Sequence, residues 1–208
     1  MLEEKPYHHG DLRRGLLDAA LRVIAEGGVA GLTLREVARQ AGVSHNAPYH
    51  HFADKAALVA ALVDEGFTQF AQTMQFAYDA AEGSALDKMV CIGVAYVQFA
   101  MNHPAQFRLM FRPELRASDQ CLPLQAHKTY ETSSGFDVVI RALQAAQREG
   151  LVAEGDTEHL ALAAWSTVHG LADLILDGNR NIASTTEEAL ALARVTVEIM
   201  VQGLAKRP

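Results

Sequence analysis

With 208 residues, half of them hydrophobic, and a net charge of −7 at neutral pH, the chain can bury a large core and is too apolar for a disordered segment. That acidic balance excludes a protein that coats nucleic acid non-specifically, because phosphate attraction needs a positive surface. Cys91 and Cys121 have neither CxxC spacing nor the makings of a disulfide framework. No run approaches eighteen uninterrupted apolar residues, and Met1 to Pro6 lack the pattern of a signal peptide, so the expected location is cytoplasmic.

The charge is uneven. Residues 1–55 hold seven Lys/Arg against seven Asp/Glu and five of the nine histidines, so this segment is neutral until a histidine takes a proton. The rest of the chain carries the whole negative excess. By itself this footprint is too weak to point to DNA.

In chain order, Leu12, Leu16, Leu17, Ala20, Val23 and Ile24 recur at helical spacing, and the pattern predicts a first helix from about Gly10 to Gly27, ended by Gly27-Gly28. Thr33 is placed to cap a second helix, with Glu36 completing a capping box, and Ser44 to cap a third just beyond Gly42. Leu34, Val37, Ala38 and Ala41 form one apolar stripe, and Val43 folds into the angle. That arrangement predicts a helix-turn-helix whose outer helix runs from His45 to about His51. Asp54 caps a long helix over 55–80, and further helices are predicted over 84–102, 104–111, 122–150, 157–177 and 186–206, about nine in all. The expected fold is all-α, without strand alternation, repeats or a flexible linker. The long helix after Asp54 connects a small domain, 1–55, to a larger one, 56–208.

The run Thr33-Leu34-Arg35-Glu36-Val37-Ala38-Arg39-Gln40-Ala41-Gly42-Val43-Ser44, followed by Tyr49-His50-His51-Phe52 and Lys55, resembles the TetR family of bacterial one-component regulators. Downstream, Trp165-Ser166-Thr167-Val168-His169-Gly170 is similar to the Trp-His-Gly signature of one class of TetR ligand-binding domains. The resemblance implies an N-terminal three-helix DNA-binding domain and a C-terminal ligand-binding and dimerisation domain. It further implies double-stranded, pseudo-palindromic operator DNA and a small-molecule effector as partners, and repression relieved by the effector.

The resemblance makes the helix opening at Ser44 the recognition helix. In its first turn Asn46 suits an adenine edge and His45 a purine acceptor or a phosphate; the alternative is that Asn46 supports the helix start and His45 is solvated. Tyr49 and His50 suit phosphate contact, although the Tyr49 ring can equally pack in the core with its hydroxyl outside. Thr33 offers its hydroxyl and a helix N-terminus to a phosphate, and Lys55 matches the family's basic residue at the next helix. Phe52 is assigned to the core. Pro48 departs from the family's small or aliphatic residue; lacking an N–H and disfavouring helical geometry at Ala47, it predicts a short or distorted recognition helix. Tyr7-His8-His9-Gly10 can approach the DNA backbone or open an ordinary capped helix. Adjacent histidines without a third ligand give no metal site, and no cofactor is expected.

In the C-terminal body, Trp165 and His169 share a helix face. With Met101, Phe107, Met110 and Phe111 they can line an apolar effector pocket, the alternative being a packed core with a satisfied histidine. Two apolar stripes, Leu160, Ala161, Ala164, Val168, Leu171, Ala172 and Ile175, then Leu190, Ala193, Val197, Met200 and Val201, fit the family's four-helix dimer interface, or intramolecular packing. An enzyme using Ser166 and His169, or Cys91, lacks a nucleophile elbow, an orienting acid and an oxyanion loop, so no catalytic residue is expected. The remaining rival is a helical protein-interaction module without DNA binding.

Overall fold

The computed structural model describes residues 9–112, 134–178 and 182–206, with side chains from Leu12 onward. Its elements are α1 (His9–Gly31), α2 (Leu34–Ala41), a 3-10 turn (Ala47–His50), α3 (Lys55–Ala80), α4 (Ala85–Asn102), α5 (Pro104–Met110), α6 (Gly135–Arg148), α7 (Thr157–Leu176) and α8 (Thr186–Leu204). The all-α expectation holds, and among the described residues the extended structure is a lone bridge between Val152 and Ala205. The side chains of Tyr7, His8 and His9, and all of Cys121, lie outside the described residues.

The chain divides into two compact units. One holds residues up to Glu65 and a short stretch from Arg108; the other holds Gly66 to Phe107 and the C-terminal helices, so the division falls within α3. In the first unit, α1 buries the predicted stripe of Leu16, Leu17, Ala20, Val23 and Ile24, and α2 adds Leu34, Val37 and Ala38. The α1 run breaks at Gly28, whose φ of 66° and ψ of 179° leave helical space. Thr33 Oγ1 accepts from the Glu36 N–H at 3.1 Å, the cap expected of it, but Glu36 does not return a bond to complete the expected box. The Glu36 carboxylate is taken by Arg39, and this donor holds its carboxyl below the usual range. Gly42 closes α2 with φ 69°, a left-handed geometry that only glycine adopts without strain.

The third segment corrects the expected helix from His45 to His51. It is a single 3-10 turn, Ala47–His50, flanked by Asn46 and lacking a side-chain cap, so Ser44 does not cap it. The Ser44 carbonyl instead accepts from the Ala47 N–H at 3.0 Å, and the Asn46 carbonyl from the Tyr49 N–H at 3.2 Å. Pro48 explains the shortening. It has no N–H to return to Ser44, and its ring opposes α geometry at Ala47, which leaves the tighter i to i+3 bonds.

In the second unit, α4 packs against α6, α7 and α8, and α7 also meets α6 and α8. Gly93 sets the α4–α8 spacing, because a Cβ built there would lie 2.5 Å from Val197 Cγ2. Caps fix the helix starts: Asp54 Oδ1 accepts from the Ala57 N–H, Ser84 and Asp87 form a reciprocal box, and Asp156 and Thr185 open α7 and α8. The predicted 122–150 helix is shorter. Ser134 caps α6 with Asp137 in a second box, so α6 begins at Gly135, and 122–133 lies outside the described residues.

The two stripes assigned to a dimer interface also need correction. Ala161, Ala164, Val168, Leu171 and Ala172 of α7, and Ala193, Val197 and Val201 of α8, are buried within the single chain. The outward faces carry a different set, Leu162 and Leu174 on α7 and Val195 and Ile199 on α8, all at least 48% exposed. By length and composition alone α7 is apolar enough to cross a membrane, and one face of it, including Ala161, Ala164, Val168, Leu171 and Ala172, is buried within the chain.

Candidate nucleic-acid interface and effector site

The first unit presents a polar tip on an apolar footing. Pro48 and Phe52 are buried beneath the turn, and the Phe52 ring carries the Arg13 guanidinium 5.6 Å from its centroid. The Phe52 and His51 N–H groups both donate to the Pro48 carbonyl, which locks the turn to its base. Above that base Ser44, His45, Asn46, Tyr49 and His50 are exposed, and Tyr49 shows 54% of its surface, which settles the core-packing alternative for its ring. Thr33 is also exposed, with its hydroxyl engaged as the α2 cap. Lys55 is exposed too, but its ammonium donates to the Val29 carbonyl at 2.7 Å and so also ties down the α1–α2 connection.

In the second unit the structure builds an aromatic cluster. Phe70, Tyr96, Phe99, Phe107 and His169 meet edge-on or tilted at centroid distances of 5.0–6.2 Å, and Trp165 lies 5.2 Å from His169. A polar relay runs through it. Trp165 Nε1 donates to Tyr96 Oη at 3.1 Å, and Tyr96 Oη lies 2.7 Å from His169 Nδ1. An indole only donates, so Tyr96 Oη accepts from Trp165, and the imidazole tautomer sets which of Tyr96 and His169 donates to the other. On the other side of the ring His169 Nε2 faces the Asp173 carboxylate at 3.6 Å. Burial pushes the Tyr96 phenol far above its ordinary range; the Trp165 bond opposes the shift and the Asp173 charge adds to it.

Of the predicted pocket residues, Trp165, His169 and Phe107 come together. Met101 packs elsewhere, against Val97, Leu171 and Ala193. Met110 and Phe111 fall in the first unit, Met110 buried and Phe111 half-buried. Sequence reasoning missed Tyr96, although as a tyrosine in the apolar run Val90–Met101 it needed a buried polar partner. Ser166 sits on the exposed side of α7 while His169 turns Nδ1 to Tyr96, so the two are not paired as a nucleophile and its base.

Two family models match the chain: that of bacterial regulatory proteins of the tetR family over residues 16–62, and that of the tetracyclin repressor-like C-terminal domain over 89–198. The chain is a member of the TetR family. It is thus a transcriptional regulator with a DNA-binding helix-turn-helix head and a helical ligand-binding body. Among solved structures, a protein of unknown function from Rhodococcus sp. RHA1 is 35% identical, with a TM-score of 0.78 over 98% of this chain and all of the other. A TetR-family transcriptional regulator from Pectobacterium atrosepticum is 25% identical, with a TM-score of 0.68 over 97% of this chain and all of its own. The fatty acid degradation regulator FadR from Bacillus halodurans shares the TetR fold at 19% identity, with a TM-score of 0.70 over 99% of this chain and all of its own.

Proposed function

We propose that this TetR regulator is a cytoplasmic, homodimeric repressor that holds a pseudo-palindromic operator until a small effector releases it. Residues 1–55 bind DNA, and residues 56–208 bind the effector and dimerise. Asn46 and His45 read base edges, Tyr49, His50, Ser44 and Lys55 contact phosphates, and the α2 start at Thr33 offers amide groups to the backbone. The single observation carrying this reading is the tip itself: polar side chains held outward by a turn whose Pro48 and Phe52 are buried.

The body belongs to the Trp-His-Gly class, and its effector site is centred on Trp165 and His169, with Phe107 and Tyr96 behind them. Both Trp165 and His169 are only partly buried, so an apolar ligand finds ring faces and an imidazole handle. Dimerisation uses the outward faces of α7 and α8. Leu162, Leu174, Val195 and Ile199 supply the apolar surface of a four-helix bundle between subunits. This accounts for the apolar character of α7 without a membrane. The two tips then sit about one DNA turn apart, roughly 34–36 Å. An effector that prefers a dimer with a different tip separation releases the operator in proportion to its preference.

The test is selection of bound fragments from the source genome with purified protein at fixed salt, followed by footprinting. The expected result is a protected pseudo-palindrome that the Tyr49→Ala protein fails to protect. A folded, dimeric wild-type protein that enriches no fragment overturns the operator-binding reading.

A further inference from the structure

Three of the seven fixed cations of the head are engaged by other groups. Arg14 pairs with Asp18 and Glu65, Arg39 holds the Glu36 carboxylate, and the Lys55 ammonium is on the Val29 carbonyl. Residues 1–55 have no net charge until a histidine is protonated. A head that must approach a polyanion thus carries no net positive charge while its histidines are neutral. The exposed surface of the reading turn nevertheless bears two imidazoles, His45 before it and His50 at its end, on either side of Tyr49. Imidazole is the side chain that changes charge just below neutrality, and a phosphate facing it favours the charged form.

We infer that His45 and His50 make operator binding pH-dependent, the TetR head gripping DNA more tightly as the pH falls from 8 to 6. The inference rests on the DNA-binding reading above and adds a regulatory property to the same surface. Each imidazole that takes up a proton on binding contributes one charge-assisted phosphate contact and releases one further counterion. Charged and titratable groups also stand on the elements beside the turn, beginning with Arg13 of α1 over the Phe52 ring. From α2 they are Arg35, Glu36 and Arg39, the last two paired with each other. From the start of α3 they are Asp54, occupied as the helix cap, and Lys55, which is tied to Val29. On the turn itself they are Tyr49 and His51, whose half-buried ring lies against Phe52. Each proton taken up thus adds positive charge at the tip to that of Arg13, Arg35 and Lys55.

The experiment is filter-binding of the full-length protein to a radiolabelled genomic fragment recovered by the selection, at pH 6, 7 and 8 and at several salt concentrations. Affinity is expected to rise about tenfold from pH 8 to pH 6. The salt slope is expected to steepen by about one to two as the contacts form. The double variant His45→Gln, His50→Gln is expected to show a nearly flat profile. His159→Gln on α7, with an exposed imidazole remote in sequence, should keep the wild-type profile. Circular dichroism at each pH checks that the proteins remain folded. Equal retention at all three pH values, or a pH dependence that survives the double variant, overturns the inference while leaving operator binding intact. Retention of no fragment at any pH overturns the operator-binding reading and this inference with it.

Discussion

Two tyrosine–histidine pairs divide this molecule's work. At the tip Tyr49 and His50 stand in solvent on a 3-10 turn, Tyr49 54% exposed; in the body Tyr96 is 3% exposed and hydrogen-bonded to His169 within an aromatic cluster. The chemistry is the same, and the environment decides its use. A donor left in water is available to a partner, and a donor in the core must find its acceptor within the chain. The tip thus keeps its polar groups open to solvent, whereas the body turns its own inward to hold a cluster together.

Substitutions can break that comparison or sharpen it. The largest effect is expected for Phe107→Ala, which empties a fully buried site between Tyr96 and His169; denaturant unfolding should show a loss of about 3–5 kcal/mol. Gly93→Ala forces a methyl group onto Val197 and should cost about 1–3 kcal/mol in the same assay. Tyr49→Ala should leave unfolding within about 0.5 kcal/mol of wild type while weakening operator binding by about 1–3 kcal/mol. Were Tyr49→Ala to destabilise the protein as Phe107→Ala does, the division between the two pairs would collapse. Tyr96→Phe keeps the ring and deletes the hydroxyl, leaving Trp165 Nε1 and His169 Nδ1 without that partner. A loss of about 1 kcal/mol is expected, with the fold unchanged by circular dichroism.

The smallest effect is a pH dependence at the α4–α5 corner. His103 lies against the Phe99 ring, and burial holds its imidazole below the ordinary range. The unfolded chain then takes the proton first as pH falls below about 6.5, so stability is unaffected above that value and declines through the acid side. His103→Gln should remove that part of the decline in melting temperature between pH 7 and pH 5.

Local signals in the sequence proved legible. The caps at Thr33 and Asp54 act through the next three residues, so reading them needs no knowledge of the fold, whereas the cap expected at Ser44 did not form. The effect of Pro48 is equally local. Ser134, with Asp137 three residues on, offers the same kind of capping-box signal, which a single helix drawn through it passes over. The α7 and α8 stripes show the limit of periodicity. The pattern identifies a face that must be covered, and Ala164 and Val197 read the same whether the cover is the chain's own α4 or a second subunit. Tyr96 was invisible for a similar reason, its partners lying 69 and 73 residues away on a helix that only folding brings alongside.

Trp165 is the only tryptophan in the chain, and its indole N–H is hydrogen-bonded to Tyr96 one step from His169. Tryptophan fluorescence, excited at wavelengths where the five tyrosines do not absorb, thus originates at the centre of the proposed effector site. Emission wavelength and quenching report the polarity and contacts of that one cluster, without background from the DNA-binding head. Arrival of an effector, loss of the Tyr96 bond and unfolding of the body can therefore each be followed optically in the unlabelled regulator.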